Sequence, residues 1–424
     1  MKKLFLFTLV ASTLIFTGCF KDDDTPIIIE EITIINNGPG DPGSDDCPIV
    51  AVTGAISVNT TWTADNIYQL NQKVVVSEGV TLTINPGTII KGSPGTGSLA
   101  SALIVARGAT LNAQGTADQP IIFTSTEDNI TCGETAGTNL NENDRGRWGG
   151  LIVLGSAPCS FSGDILEAQI EGIPADDSFG LYGGTDAADS SGSLRYLSIR
   201  HGGALIGEGN EINGLTLGGV GNGTLIDNIE VLANVDDGIE FFGGTVNASN
   251  LLVWSVGDDA LDIDQAYSGT IDNAVVILGD ISDHAFEIDG PEGTASGAFT
   301  LLNATIIGNT TTANGEYADY RSNAQGNTSN IYAFGFKDSA DIELDNDGVA
   351  TNYNNGLLTF GTWQIVLPTG VTNVEDIFVN KAETVTVIGF GSNATAVTEG
   401  SQTLGAITSN LNWTYSNTAG GLGF

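Results

Sequence analysis

From residue 72 onward, the chain alternates short apolar runs with glycine-containing turns. The segments VVVSEG, TLTINPG, TIIKG, ALIVARG and PIIFTS contain apolar runs of only three to five residues. Such runs are too short for helices, and Val, Ile and Thr are enriched in strands. Few Asn-Gly hairpin signals separate them. The pattern therefore predicts short strands that stack on parallel neighbours in a repeating solenoid.

The centre of the chain repeats with a period of about 22 residues. NIEVLANVDDGIEFF begins at Asn228, NLLVWSVGDDALDID at Asn250 and NAVVILGDISDHAFEID at Asn273, so the separations are 22 and 23 residues. The next run, FTLLNATIIGN, begins at Phe299. This period suits one turn of a three-faced coil at about 3.3 Å per residue. We predict an all-β fold, a parallel β-helix with turns of about 22 residues. A β-sandwich with irregular loops is the alternative.

Alignment of these turns stacks acidic residues on one another. DDGIE at residues 236–240 corresponds to DDALD at 258–262 and to DHAFE at 283–287. Strand alternation places the apolar fourth residue of each segment in the core and the flanking acids outside. Equivalent positions in a β-helix lie about 4.8 Å apart. The candidate metal ligands are seven of these acids: Asp236, Asp237, Asp258, Asp259, Asp262, Asp283 and Glu287.

Stacked carboxylates repel one another and need compensation. At this spacing one ionised pair costs somewhat under 1 kcal/mol in water, and several times more where water is partly excluded. The sequence from His201 to Tyr320 contains no Lys or Arg that could offset the charge. Either a cation binds or some carboxyls stay protonated, and Ca²⁺ suits a site made only of oxygen ligands. We predict a structural Ca²⁺ site. The alternative is a solvated acidic face with diffuse counterions.

A second acidic run, DIELDNDG, occupies residues 341–348. Its alternating acids Glu343, Asp345 and Asp347 before a glycine resemble part of an EF-hand loop. That loop needs an acid at its twelfth position, where Asn354 stands here. We therefore predict no EF-hand, and a looser calcium loop stays open.

Composition narrows the range of partners. The 424 residues include 51 Asp and Glu but only 13 Lys and Arg, which gives a formal net charge of −38. Hydrophobic residues still make up 41 %, so the chain is not a disordered acidic tail. Nucleic-acid binding requires clustered basic residues, and this charge argues strongly against it.

The N-terminus resembles that of a bacterial lipoprotein. A positive MKK and the apolar LFLFTLVASTLIF precede FTGC, which is similar to a lipobox. We expect residues 1–18 to be removed as a signal peptide and Cys19 to be lipidated. FKDDD follows, and its Lys21, Asp22 and Asp23 resemble the surface-export signal of Bacteroidota lipoproteins. Residues 19–46 then form the anchored export signal and a flexible linker. A plain signal peptide and an ordinary acidic tether are the alternatives.

Three further cysteines, Cys47, Cys132 and Cys159, are compatible with one disulfide outside the cytoplasm. We pair Cys132 with Cys159, because both lie in Gly-, Asn- and Ser-rich stretches. Cys47 is left over, and the odd count keeps this pairing provisional.

Several motifs resemble those of right-handed parallel β-helix proteins on bacterial surfaces. The segment from TTWTADN to TIIKG, residues 60–92, is typical of them, and RGRWGGLIVLG, LRYLSIRHGG and DDGIEFFGGTVN are similar to one large family frequent in Bacteroidota. The resemblance covers residues 47–310 and, more faintly, residues 311–424, which we expect to be a β-rich continuation or cap. It implies the pectate-lyase-like fold. No established catalytic residues come with it.

The acids also raise the question of catalysis. GDDALDID at residues 257–264 weakly resembles the paired aspartates of polygalacturonase-type hydrolases, but His284 lacks the flanking glycines of that family. A polysaccharide lyase would need a basic residue beside Ca²⁺, and only Arg195 and Arg200 lie near in sequence, since none follows until Arg321. We predict a non-catalytic module, anchored to the outer membrane and exposed on the cell surface, for a glycan or an outer-membrane partner such as a transporter. The alternative is a lyase or glycoside hydrolase acting on an acidic polysaccharide.

Overall fold

The computed structural model of the protein describes most of the chain after the N-terminal region. The described residues are 33–35, 47–173, 177–205, 212–312 and 314–423. Cys19 and residues 21–23 lie outside the described residues, so the signal peptide, the lipid anchor and the export signal stay predictions. Within the described part of the chain, no helix has the length and apolar character needed to cross a membrane.

The strands stack in parallel on three faces of one coil. Face 1 comprises β2 (Ile49–Ile56), β4 (Ile67–Val76), β6 (Ile89–Gly92), β9 (Ile121–Ser125), β13 (Gly192–Arg200), β15 (Leu225–Leu232), β17 (Asn247–Trp254), β19 (Thr270–Ile277), β21 (Phe299–Ile307), β24 (Ile331–Phe334), β27 (Trp363–Ile365) and β29 (Ala394–Ala396). Face 2 comprises the ends of β2 and β4, then β7 (Ala102–Val105), β10 (Leu151–Leu154), β14 (Leu215–Gly218), β16 (Ile239–Phe242), β18 (Leu261–Asp264), β20 (His284–Ile288), β22 (Glu316–Tyr320), β25 (Ile342–Leu344) and β28 (Phe378–Asn380). Face 3 comprises β3 (Thr60–Trp62), β5 (Thr81–Ile84), β8 (Thr110–Gln114), the beginnings of β13, β15, β17, β19 and β21, then β23 (Gly326–Ser329) and β26 (Leu358–Phe360).

Few elements depart from this scheme. β1 (Thr33–Ile35) pairs antiparallel with β2, and β11 (Ala168–Gln169) pairs antiparallel with β12 (Leu181–Tyr182). One α-helix, α1 (Asp347–Asn354), lies between β25 and β26 among the described residues. The predicted parallel β-helix is therefore confirmed.

An asparagine ladder forms the corner between faces 3 and 1 and explains the repeat in the sequence. Its members have φ between 55° and 63°, in the left-handed region that Asn tolerates better than most residues. The amide nitrogen of Asn273 donates to the side-chain oxygen of Asn250 at 2.8 Å, and Asn330 donates to Asn303 at 3.1 Å. The ladder therefore turns each coil, and its amide–amide hydrogen bonds link neighbouring turns at two of its steps. It consists of Asn228, Asn250, Asn273, Asn303 and Asn330.

The core runs along the inside of all three faces. Ile239, Leu261 and Phe286 pair directly in register on face 2 and are at most 1 % exposed. These are the three apolar residues that the sequence alignment placed inside, and that alignment is confirmed. Parallel pairing continues beyond residue 310 as far as β29.

The disulfide joins Cys47 to Cys132, so the predicted Cys132–Cys159 pairing is wrong. The two Cα atoms lie 5.7 Å apart, beside a small apolar cluster on the outer side of the first turns of face 1. Cys159 follows β10 instead, in a segment that covers face 2, and its thiol lies 3.3 Å from the carbonyl oxygen of Phe242. Coiling brings Cys47 and Cys132 together although 85 positions separate them. Burial raises the pKa of the Cys159 thiol to about 12.

Two segments outside the coil cover parts of its surface. The connection between β10 and β13 packs Phe161 and Tyr182 over the outward side chains of Ile104 and Ile152, at the N-terminal end of face 2. Residues 399–420, which we call the C-terminal strap, return along face 1 towards the N-terminal end of the coil. Successive strap residues contact face 1 strands from β27 back to β15.

Candidate functional site

Five consecutive strands of face 2 carry an acid at the same outward position. We call this row the acidic ladder. The parallel register places its members directly beside one another, and each is between 6 % and 9 % exposed. On the two preceding strands the same row holds Ile152 and Thr216, and on the following strand Val379. The ladder consists of Glu240, Asp262, Glu287, Asp319 and Glu343.

Further acids from the turns before these strands join the ladder. Six of the seven predicted ligands belong to groups whose ligand atoms lie within 4.8 Å of one another. Asp283 belongs to no such group among the described residues, although one of its oxygens is 3.9 Å from Nδ1 of His284. The groups that contain predicted ligands are Asp236–Asp237–Asp258, Asp237–Glu240–Asp262 and Asp259–His284–Glu287.

One of these groups consists entirely of buried carboxyls, and we call it the buried triad: Asp237, Glu240 and Asp262. Burial, and then repulsion from neighbouring carboxylates, raises the pKa of all three carboxyls well above the usual range; Asp262 is the first of these neighbours for Asp237 and Glu240, and Glu287 is the first for Asp262. Asp237 accepts a hydrogen bond from the backbone nitrogen of Asp259 at 2.9 Å, and the Asn213 amide donates to Glu240. Oδ1 of Asp262 is buried and has no hydrogen-bond partner among the described residues. The triad thus offers oxygen ligands only, which is the ligand type that Ca²⁺ prefers, and one of its carboxylate oxygens has no hydrogen-bond partner among the described residues.

Basic side chains compensate the other end of the ladder, which corrects the expectation that no Lys or Arg offsets it. Nη1 of Arg321 lies 2.6 Å from Glu287, and its Nε lies 3.1 Å from Asp289. Burial alone would lower the pKa of Arg321, but the carboxylates of Glu287 and Asp289 raise it above its usual value. Lys381 pairs with Glu343. Arg321 and Lys381 come from later turns of the coil than the acids they pair with. Their proximity to the ladder therefore could not be inferred from neighbouring positions in the sequence.

His284 supplies a third positive group. Its Nδ1 lies 2.9 Å from Oδ1 of Asp259, and the same oxygen accepts from the backbone nitrogen of His284 at 2.7 Å. Burial alone would lower the pKa of His284, but the hydrogen bond and the charge of Asp259 raise it to about 9. Burial and then the charge of Asp259 raise the pKa of Glu287 to about 8. At neutral pH His284 is therefore an imidazolium that stabilises its acidic neighbours.

Three members of the acidic ladder were not among the predicted metal ligands. Asp319 was absent from the sequence alignment of the turns, and Glu240 and Glu343 were recognised as acids but not predicted as ligands. Asp319 is 32 positions after Glu287, because the intervening turn is longer than 22 residues. Its signal was the alternation YADY, in which an acid stands between residues that face the core. Glu343 belonged to the second acidic run, and it pairs in register with Asp319. Asp347 from that run instead begins helix α1.

Comparison with known proteins agrees with this geometry. Searches of curated proteins and of solved structures gave no match. A family model described as a pectate-lyase-like β-helix domain matches residues 54–416, which is most of the chain. The long stack of parallel strands and the continuous inner core are what this description requires. The chain therefore belongs to the family of pectate-lyase-like β-helix domains.

Proposed function

We propose that this protein is a lipid-anchored surface protein of the outer membrane whose β-helix serves as a rigid, non-catalytic binding module. Its partner is an extracellular glycan or an outer-membrane protein such as a transporter, and the acidic ladder holds structural Ca²⁺. The N-terminal pattern supports the anchor through Cys19 and the export signal through residues 21–23. A solenoid supports the binding role because it presents long, rigid faces.

The buried triad carries the calcium proposal. With its ligand atoms within 4.8 Å, each ionised pair costs roughly 3–4 kcal/mol at an effective dielectric constant of about 20. No Lys or Arg in the described ranges pairs with a triad carboxylate, in contrast to Glu287 and Glu343. A divalent cation would convert this repulsion into attraction and would bind the unsatisfied oxygen of Asp262.

The state of the basic groups argues against catalysis at the ladder. A general base must be unprotonated near the working pH, whereas the pKa of His284 is raised to about 9. Arg321, the basic residue closest to the centre of the ladder, is held by Glu287 and Asp289. The ladder carboxylates are also almost fully buried, although an acid–base pair must contact its substrate. These three observations favour a structural role for the ladder over a catalytic one.

Direct calcium binding tests the proposal. Chelator-treated protein titrated with CaCl₂ in a calorimeter should take up Ca²⁺, and Asp262→Asn should lose most of that binding. Asp118→Asn removes one exposed carboxylate far from the ladder and is the matched control, which should bind like the wild type. If the wild type binds no Ca²⁺, or if both variants bind equally, the calcium site is not the buried triad.

A polysaccharide lyase is the second candidate, because the structure brings Arg321 next to acids that could hold Ca²⁺. A lyase acting on an acidic polysaccharide forms an unsaturated product that absorbs ultraviolet light. Polygalacturonate incubated with calcium-loaded protein should give no such product under the binding-module proposal. Product formed by the wild type and abolished in Arg321→Gln would establish the lyase instead.

The anchor is tested separately from the β-helix. Cys19→Ser should release the protein from membranes. Replacement of Lys21, Asp22 and Asp23 by Ala should leave it lipidated but protected from protease added to intact cells. Unchanged protease accessibility in the triple variant would contradict the export signal.

A further inference from the structure

A second candidate site lies on face 1, on a different face of the coil from the acidic ladder. A cleft of about 650 Å³ separates the C-terminal strap from the outward side chains of β19, β21 and β24. This volume lies within the range of small-molecule sites, roughly 300–1,000 Å³. The cleft contains no residue of the ladder, so its occupant would be independent of the proposed calcium ion.

Aromatic side chains form part of the floor of the cleft. Tyr332 and Phe334 point outward from β24, and their ring centroids lie 5.1 Å apart with an angle of 27° between the planes. Ile307 of β21 pairs in register with Phe334 and extends the apolar surface. Tyr332 is buried, whereas Phe334 is half-buried and therefore accessible from the cleft. A flat, partly accessible aromatic surface suits the apolar face of a sugar ring.

The opposite wall is the strap, which is fixed to the coil on both sides of the cleft. Oε1 of Gln364 accepts from the backbone nitrogen of Thr403 at 2.7 Å, and the Thr305 hydroxyl accepts from that of Ala406 at 2.9 Å. Gly405 lets the strap approach this closely, since a Cβ atom there would lie 2.5 Å from the Thr305 hydroxyl oxygen at a φ of +105°. These bonds hold the cleft open, so little ordering is needed when a ligand binds.

The polar groups of the cleft indicate which ligands it accepts. Gln402 and Thr408 of the strap line the cleft, as does Thr305 of face 1. Glu399 is the sole charged residue among the described residues that line the cleft. Hydroxyl and amide groups can both donate and accept, as sugar hydroxyls require, whereas a carboxylate without a cation beside it repels a uronate.

We infer that this cleft binds a neutral oligosaccharide, with one sugar ring against Phe334 and its hydroxyls bonded to Gln402 and Glu399. The inference rests on the proposed binding function, for which it names a ligand class and a place. It also separates two roles in the molecule. The acidic ladder stabilises the coil, and the cleft under the strap recognises the glycan.

Calorimetry with defined probes tests the inference. Cellohexaose, xylohexaose and mannohexaose would be titrated into the full-length protein with Ca²⁺ present, beside a galacturonate hexamer and choline chloride. At least one neutral hexasaccharide should bind. Phe334→Leu, which keeps an apolar side chain but removes the ring, and Gln402→Ala should each weaken that binding about tenfold.

The control variants make the same changes elsewhere. Phe179→Leu replaces another half-buried ring in the segment over face 2, and Gln114→Ala replaces an exposed glutamine on face 3. Both should bind like the wild type. Equal melting temperatures would show that Phe334→Leu is folded. Gln402 is exposed, so its variant tests the same cleft without disturbing the core.

Three results would overturn the inference. If a neutral hexasaccharide binds but neither cleft variant weakens it, the binding function stands and the cleft is the wrong place. If choline binds and Phe334→Leu abolishes that binding, the cleft is an amine site. If no neutral hexasaccharide binds, the assigned ligand class is wrong. If the galacturonate hexamer also fails to bind, the glycan part of the proposed function fails with it.

Discussion

Substitution of Asp262 by Asn should have opposite effects on stability with and without calcium. The substitution keeps the shape of the side chain and removes one charge from the buried triad. Without Ca²⁺ the wild type holds three carboxyls whose ligand atoms lie within 4.8 Å of one another. The variant retains only the Asp237–Glu240 pair, so two of the three repulsive pairs disappear.

The structure sets the size of both effects. Each ionised pair is worth roughly 3–4 kcal/mol at an effective dielectric constant of about 20, and the raised pKa values mean that protonation already relieves part of it. The calcium-free variant should therefore gain a few kcal/mol at pH 8. A bound ion at a hundredfold excess over its dissociation constant stabilises the wild type by about 2.7 kcal/mol. The variant should lose that gain because it lacks the ligand oxygen.

Melting curves at pH 8 in a chelator and in CaCl₂ measure both quantities. One kcal/mol corresponds to roughly 1–2 °C for a chain of this length. Asp262→Asn should melt a few degrees above the wild type in the chelator, and Ca²⁺ should raise only the wild type. NaCl at equal ionic strength controls for screening, and Asp118→Asn controls for the loss of one charge. A variant that melts lower in the chelator and still responds fully to Ca²⁺ would refute the reasoning.

Three further predictions concern the rest of the fold. The pKa values of Asp264 and Glu287 are raised to about 7 and 8, so the calcium-free folded protein holds protons that the unfolded chain releases above about pH 4. The stability that these retained protons contribute is complete at low pH and is lost as the pH rises through 7 and 8. The melting temperature in chelator should therefore fall between pH 5 and pH 8. A rise over that range would contradict it. Leu261→Ala should lower the free energy of unfolding by about 2–5 kcal/mol in a denaturant titration, because Leu261 is fully buried, and a loss below 1 kcal/mol would mean a loosely packed core. Cys47→Ser should cost about 4–5 kcal/mol on the chain-entropy model for an 85-residue separation, whereas Cys159→Ser should change little, and the reverse order would refute the disulfide assignment.

The repeat and the inner core could be predicted from the sequence because they depend on local rules. An Asn at the start of each central run tolerates the left-handed backbone of the corner, and the next three or four residues alternate between core and surface. The period therefore fixed the register of Ile239, Leu261 and Phe286 before any contact was known. The same register brought together six of the seven acids predicted as ligands.

Only the tertiary structure decided what surrounds those acids. A solenoid stacks residues that are one or more turns apart, and the lengths of its turns vary, so a pairing 32 positions apart could not be read from a 22-residue period. Arg321 reaches Glu287, and Cys47 reaches Cys132, only because coiling places their turns side by side. The path of the C-terminal strap along face 1 likewise depends on side-chain hydrogen bonds to distant strands. Local periodicity specifies which way each residue faces, whereas charge compensation and clefts depend on which turns become neighbours, and the folded chain alone determines that.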